Sequence, residues 1–196
     1  MAKLRKFICY RHMERPYTRF SKYTDKNYVR ARPQCRVVNF TIGDSNAAFD
    51  TSLHLVAKTP LQIRDNAIES ARQSCNRVLE GQVGKGNYFM QTRMYPHHIL
   101  RENPLASGAG ADRLSTGMAR PFGKPIGVAA QVYAGKSVFT VRVNKPHIDI
   151  ARLALKRASY KLPCQYRIVI EQTKTRQERI SRVKVGKAAK TKAAAA

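Results

Sequence analysis

The run from Thr59 to Gly81, TPLQIRDNAIESARQSCNRVLEG, decides the fold class. Ile68, Ala71, Cys75 and Val78 recur at steps of three and four, which lays an apolar stripe along one face of a helix. Arg64, Arg72, Arg77 and Glu80 occupy the rest of its surface. At the start, Thr59 reads as the N-cap, Pro60 as the first helical residue and Gln62 as the far half of a capping box. Gly81 reads as the terminator. A stripe of this kind must be covered by a sheet or a second helix.

The neighbouring segments supply that cover. Cys35 to Ile42 alternates as a strand, and Ser52 to Ala57, Asn87 to Tyr95 and Tyr166 to Ile170 read likewise. Gly127 to Tyr133 and Ser137 to Val143 flank Ala134-Gly135-Lys136, the pattern of a hairpin. A second helix follows Pro146, with Ile148, Ala151, Leu155, Ala158 and Leu162 on one face and Pro163 as its stop. Arg152 and Lys156 lie one turn apart on another face. Strands fall in groups around two separate helices rather than in βαβ alternation. The expected class is α+β, with a mainly antiparallel sheet and two principal helices.

Composition bounds the function. In 196 residues, 37 Lys and Arg face 12 Asp and Glu, for a formal charge of +25. Such an excess is foreign to most metabolic enzymes and points to a polyanionic partner. Hydrophobic residues make up 43% of the chain, which excludes a wholly disordered basic protein. No apolar run approaches the roughly 20 residues of a membrane helix. The basic start, Met1 to Lys6, is followed by no apolar signal core, so a cytoplasmic location and no membrane partner are expected. Cys9, Cys35, Cys75 and Cys164 lack any C-x-x-C spacing, so they read as reduced thiols rather than zinc ligands or disulfides.

The charge is concentrated at the two ends. Residues 1–36 carry eleven Lys and Arg against Glu14 and Asp25. Phe7, Tyr10, Tyr17, Phe20, Tyr23 and Tyr28 interleave there with Arg11, Arg15, Arg19, Lys22, Lys26 and Arg30. Cations neutralise phosphates while aromatic faces stack on unpaired bases, so this stretch reads as a basic, aromatic RNA-binding arm that also begins the domain. Residues 37–171 form the globular α+β domain, where Arg93, Arg101, Arg152 and Lys156 are further RNA-binding candidates. Residues 172–196 hold eight Lys and Arg against one Glu and read as a basic tail, disordered in isolation.

No catalytic set assembles. Gly84-Lys85-Gly86 has Leu79 where a P-loop needs its first glycine, and Gly123-Lys124 has Met118 there and Pro125 in place of Ser or Thr. Gly108-Ala109-Gly110 has Arg113 where a dinucleotide loop needs its third glycine. His97 and His98 are adjacent on an expected strand and so point to opposite faces. Asp44, Asp50 and Asp112 stand apart. No metal, cofactor or enzymatic activity is expected.

The segment 101–127 is unusual. It carries Gly108, Gly110, Gly117, Gly123 and Gly127 together with Arg101, Arg113, Arg120 and Lys124. A long glycine-rich, cationic loop can bring its backbone close to phosphates. Loops this long inside a compact domain are uncommon and usually functional or disordered.

At this loop a family resemblance becomes specific. GADRLSTGMARPFGKPIG, Gly110 to Gly127, resembles the signature of the universal large-subunit ribosomal protein family numbered sixteen, in its archaeal–eukaryotic "ten-e" branch. CYRHMERPYTRFSKY (Cys9 to Tyr23), IRDNAIESARQSCNRVL (Ile63 to Leu79), MYPHHILRENP (Met94 to Pro104) and LKRASYKLP (Leu155 to Pro163) are similar to that branch in the same order. The resemblance covers roughly residues 5–171. It implies a hammerhead-like α+β domain on large-subunit ribosomal RNA, near the central protuberance; of the basic terminal extensions read from the charge layout, the one from about Thr173 matches no pattern of the family. It implies that the long Gly/Arg-rich loop reaches toward the peptidyl-transferase centre and the acceptor ends of transfer RNA. Gly108, Gly110, Arg113, Gly117, Arg120 and Lys124 then form a transfer-RNA-proximal set. Neighbouring large-subunit proteins are further implied partners, with one copy per ribosome.

Two other classes compete. A basic RNA-processing or RNA-modifying protein with a mobile glycine-rich lid would need a carboxylate or histidine cluster beside the loop, and Asp112 with Glu102 is too little. A chromatin-type duplex binder would need a recognition helix, whereas the aromatic arm suits folded RNA with unpaired bases.

Overall fold

Two amphipathic helices lie on one face of a twisted antiparallel sheet, and a smaller sheet leans against their edge. The computed structural model describes residues 5–18, 22–23, 25, 29, 32–103, 108, 110 and 123–172. Among these, the strands are β1 (Thr41–Gly43), β2 (Thr51–Ala57), β3 (Leu61–Arg64), β4 (Tyr88–Thr92), β5 (His98–Glu102), β6 (Lys124–Val132), β7 (Ser137–Val143) and β8 (Tyr166–Gln172). The helices are α1 (Asp65–Gln82) and α2 (Ile148–Ser159), with 3₁₀ turns at Phe7–Tyr10 and Lys145–His147. The five-stranded sheet runs β1-β4-β7-β2-β8 and the three-stranded sheet β3-β6-β5, every pair antiparallel. The α+β class and the two helices stand as expected.

The core follows from the two periodicities. Leu53 and Leu55 of β2 face Val141 and Phe139 of β7, and Met90 of β4 pairs with Val141. These side chains meet Ile68, Ala71, Cys75 and Leu79 of α1 and Ala151, Ala154, Leu155 and Ala158 of α2 in one buried cluster. Alanines on α2 let it lie close to α1, which the sequence reading anticipated in part through Ala151 and Ala158. A second, smaller cluster joins Val29, Ile99 and Val128, with Tyr17 packed against it.

Three local expectations for the first helix are corrected. The first helix begins at Asp65, not Pro60, because Leu61 and Ile63 alternate into the core and residues 61–64 pair with 132–129 of β6. Gln62 makes no capping box; it is buried in β3 and its Nε2 donates to the His12 carbonyl. Asp65 instead puts a carboxylate at the positive end of the helix, accepting the N–H groups of Asn66 (2.8 Å) and Arg36 (3.1 Å). The helix runs through Gly81 to Gln82, and two residues on Gly84 has φ +86° and returns its N–H to the Leu79 carbonyl.

The expected hairpin is a bridge between sheets. The Lys136 N–H does close a turn on the Tyr133 carbonyl, but β6 pairs with β3 and β5 while β7 pairs with β4 and β2. Val128, Ala129 and Ala130 are buried consecutively, as are Val138 to Val141, so each strand is covered on both faces at the centre of its own sheet. The turn is pinned to Ala57, whose carbonyl accepts the Gly135 N–H at 2.9 Å and whose N–H donates to Lys136 at 3.0 Å. The strand expected from Cys35 shortens to Thr41–Gly43.

Candidate nucleic-acid interface

The face of the five-stranded sheet turned away from the helices carries the polar alternates of each strand. Register places Phe89 opposite Arg142, Gln91 opposite Thr140, and Arg167 opposite Val56. Arg142 lies 5.4 Å from the Phe89 ring centre. Arg93, one step beyond β4, is exposed and donates Nη1 to Gln91 Oε1 at 3.1 Å, which fixes it on this face. His54 approaches Thr140 Oγ1 at 3.0 Å and Glu171 at 3.6 Å. Arg93, Arg142 and Arg167 thus share one surface with an aromatic ring. The sequence reading found Arg93 only; strand parity alone could not tell that 142 and 167 would align with it, one ladder and three ladders away.

Arg152 and Lys156 sit exposed on α2, opposite its buried alanines. Arg157 and Lys161 extend that cationic strip, and Tyr160 (71% exposed) and Leu153 (39%) stand within it. Asp149 is the lone acidic residue between 145 and 161. This strip lies on the helix layer, away from the face that holds Arg93.

The described part of the N-terminal segment packs along the small sheet. Tyr17 donates its N–H to His98 Nδ1 at 2.8 Å, and its carbonyl accepts the Ile99 N–H at 3.1 Å. The guanidinium of Arg101 lies 4.2 Å from the Tyr17 ring centre. Arg64 similarly covers Tyr10 at 5.4 Å, and Arg32 covers Tyr95 at 5.4 Å while donating to the Pro96 carbonyl. Gln131 Nε2 donates to the Glu14 carbonyl at 2.9 Å. These contacts anchor the segment and leave Arg11 and Arg15 exposed. Lys22 lies 5.1 Å from the ring of Tyr23, which is 54% exposed. Arg19, Lys26 and Arg30 lie outside the described residues.

Histidine behaves as a structural group. Burial, with His97 and Arg101 beside it, holds the His98 pKa below its usual value although Glu14 pulls the other way, which keeps Nδ1 neutral and able to accept. His97 Nδ1 lies 3.1 Å from the Tyr95 carbonyl. Cys75 is a core residue whose thiol burial pushes up to about 12. All four cysteines are free thiols. Among the described residues no group of His, Cys, Asp and Glu could hold a metal ion, and no helix is long and apolar enough to cross a membrane.

The expected loop is narrower than 101–127. Arg101 and Glu102 belong to β5 and pair with Pro125 and Lys124 of β6, so the connection spans 103–123. Gly108 and Gly110 are exposed with φ of +135° and +78°, values that L side chains rarely adopt. Lys124 is exposed at the first position of β6. Arg113, Gly117 and Arg120 lie outside the described residues.

An α+β frame with two cationic surfaces, an anchored basic segment and a long connection leaving one sheet end is the build of a protein seated against a polyanion. The model of the family "Ribosomal protein L16p/L10e" matches residues 14–169, and the chain belongs to that family. It is 46% identical to the large ribosomal subunit protein uL16 of Staphylothermus marinus, over 87% of this chain and 95% of the relative. With the uL16 of Thermofilum pendens it shares 44% identity, over 86% and 98% of the two chains. With that of Archaeoglobus fulgidus it shares 45%, over 83% and 90%.

Proposed function

We infer that the chain is a structural, non-enzymatic constituent of the large ribosomal subunit, working in translation in the cytoplasm. The observation that carries this is the family match across 14–169, joined to a charge of +25. Its ligand is large-subunit ribosomal RNA, and neighbouring large-subunit proteins surround it at one copy per ribosome. Cations at Arg11, Arg15, Arg93, Arg101, Arg152 and Lys156, with the arm over 1–36 and the tail over 172–196, neutralise phosphates, and counterion release supplies much of the affinity. Arg19, Lys22, Lys26 and Arg30 extend the arm's contacts, and Tyr23 offers a stacking ring.

The finer reading concerns the connection between β5 and β6. Membership of the family and the resemblance of Gly110 to Gly127 to its signature support a hammerhead-like domain whose Gly/Arg-rich loop lies near transfer-RNA acceptor ends; the loop's composition suits Arg113, Arg120 and Lys124 to phosphates and Gly108, Gly110 and Gly117 to close backbone approach. The test is single-round peptidyl transfer on large subunits rebuilt with Arg113→Ala and Arg120→Ala. The expected result is full incorporation with slowed transfer. Normal transfer at full incorporation overturns the positioning role.

A further inference from the structure

The foot of that connection is gripped from both faces by the N-terminal segment. Arg101 and Glu102 are consecutive in β5, so their side chains leave opposite faces of the strand. Arg101 covers the Tyr17 ring at 4.2 Å. Glu102 Oε1 accepts both Nε and Nη2 of Arg5, at 2.6 and 2.5 Å, across 97 residues of sequence. Glu102 also stands opposite Lys124 in the last pair of the β5–β6 ladder, beyond a register irregularity at Leu100 and Arg101. That pair is where the chain departs toward residue 103 and returns at 123. A bulged ladder end needs a further restraint to keep one direction.

The chemistry of Glu102 makes Arg5 hard to replace. Its side chain is 13% exposed, and Oε2 is buried with no hydrogen-bond partner among the described residues. It is the lone acidic residue between Glu80 and Asp112, bonded to Arg5 and opposite Lys124 in the ladder. Removing Arg5 takes away the cation bonded to Oε1, from a carboxylate that is itself 13% exposed, while Arg5 is 52% exposed. The Arg5 carbonyl in turn faces Arg64, which covers Tyr10, so the grip on Arg5 extends through the 3₁₀ turn Phe7–Tyr10.

We propose that Glu102 is a positioning residue: its clasp on Arg5 couples the N-terminal segment to the adjoining ends of β5 and β6, at Glu102 and Lys124. The proposal rests on the transfer-RNA reading above only for its consequence in translation. The coupling is measured without RNA.

Amide hydrogen exchange on the full-length free protein tests it, comparing Glu102→Gln, Arg5→Gln, the double variant, and the charge swap Arg5→Glu with Glu102→Arg. Either single change should speed exchange roughly tenfold both at 7–11 and at 100–103, the shift expected from loss of one charge-assisted clasp. The double variant should add nothing further, and the swap should restore both segments. Exchange that rises only around the substituted residue, or effects that add in the double variant, overturns the coupling. If a single variant also loses protection at Leu53 and Val141, the fold itself has loosened and the swap decides: restored protection supports the clasp, unrestored protection overturns it. On rebuilt subunits, Glu102→Gln should raise the acceptor-substrate concentration for half-maximal transfer with the maximal rate held within about twofold. Normal transfer with Glu102→Gln, where Arg113→Ala and Arg120→Ala are impaired, overturns the positioning role. Normal transfer with all three overturns the transfer-RNA reading, and the exchange result then judges the clasp by itself.

Discussion

Tyr17 donates its backbone N–H to Nδ1 of His98 at 2.8 Å, and the Ile99 N–H donates back to the Tyr17 carbonyl at 3.1 Å. An imidazole thus takes the place of a strand carbonyl. The bond requires a neutral His98, and burial holds its pKa below 6.5. In the unfolded chain His98 titrates near its ordinary value, so between the two the unfolded state binds more protons and stability rises with pH. The anchoring contribution is complete above about pH 6.5 and is lost as pH falls through the depressed value. The facing groups are His97, Arg101 and Glu14. The protection factors at Tyr17 and Ile99, with the intrinsic pH dependence of exchange divided out, should therefore fall between pH 7.5 and pH 5, and His98→Asn, which keeps an acceptor that does not titrate, should flatten that dependence. Equal pH dependence in both proteins would assign the effect to another group.

Two glycines in similar sequence settings should respond oppositely to alanine. Gly43 has φ +90°, and an added Cβ would lie 2.1 Å from the Tyr88 carbonyl oxygen. Gly81 lies inside α1 with nothing within 4 Å of such a Cβ. Gly43→Ala should cost more than about 1 kcal/mol and detach β1 from β4. Gly81→Ala should stabilise by roughly 0.5–1 kcal/mol, the helix-propensity difference. Denaturant titration of both variants checks the sign.

Leu155 and Leu153 separate the inner and outer faces of α2. Leu155 is fully buried, and Leu155→Ala should cost about 2–5 kcal/mol by lost burial and a residual cavity. Leu153 is 39% exposed, and Leu153→Ala should stay within about 0.5 kcal/mol. Thermal unfolding of the two variants tests the assignment of faces.

The cationic strip on α2 should be visible in salt dependence. Arg152→Ala with Lys156→Ala should weaken binding to a large-subunit RNA fragment and lower the log–log salt slope by roughly 1 for each phosphate contact removed. Deleting 173–196, the tail beyond β8, should flatten the slope further without lowering the melting temperature of the core. A filter-binding titration between low and moderate salt supplies both numbers, and an unchanged slope removes the strip from the interface.

Local pattern carried the helix faces, the α+β class, the polyanion partner and the family signature, because periodicity, composition and a contiguous motif are each written in neighbouring residues. Ile68, Ala71 and Cys75 could be placed in the core from spacing alone, and so could Leu155 and Ala158. Tertiary structure decided the rest. Leu61 to Arg64 reads locally as a capped helix start, yet β6 supplies a ladder that outweighs the propensity of four residues. Gly135 reads locally as a hairpin turn, yet the flanking strands are each central in a different sheet. The contacts that shape the candidate site, Tyr17 with His98, Arg101 with Tyr17 and Arg5 with Glu102, span 81 to 97 residues. No local propensity encodes a partner at that separation; it exists only once the sheets have closed and brought β5 beneath the N-terminal segment.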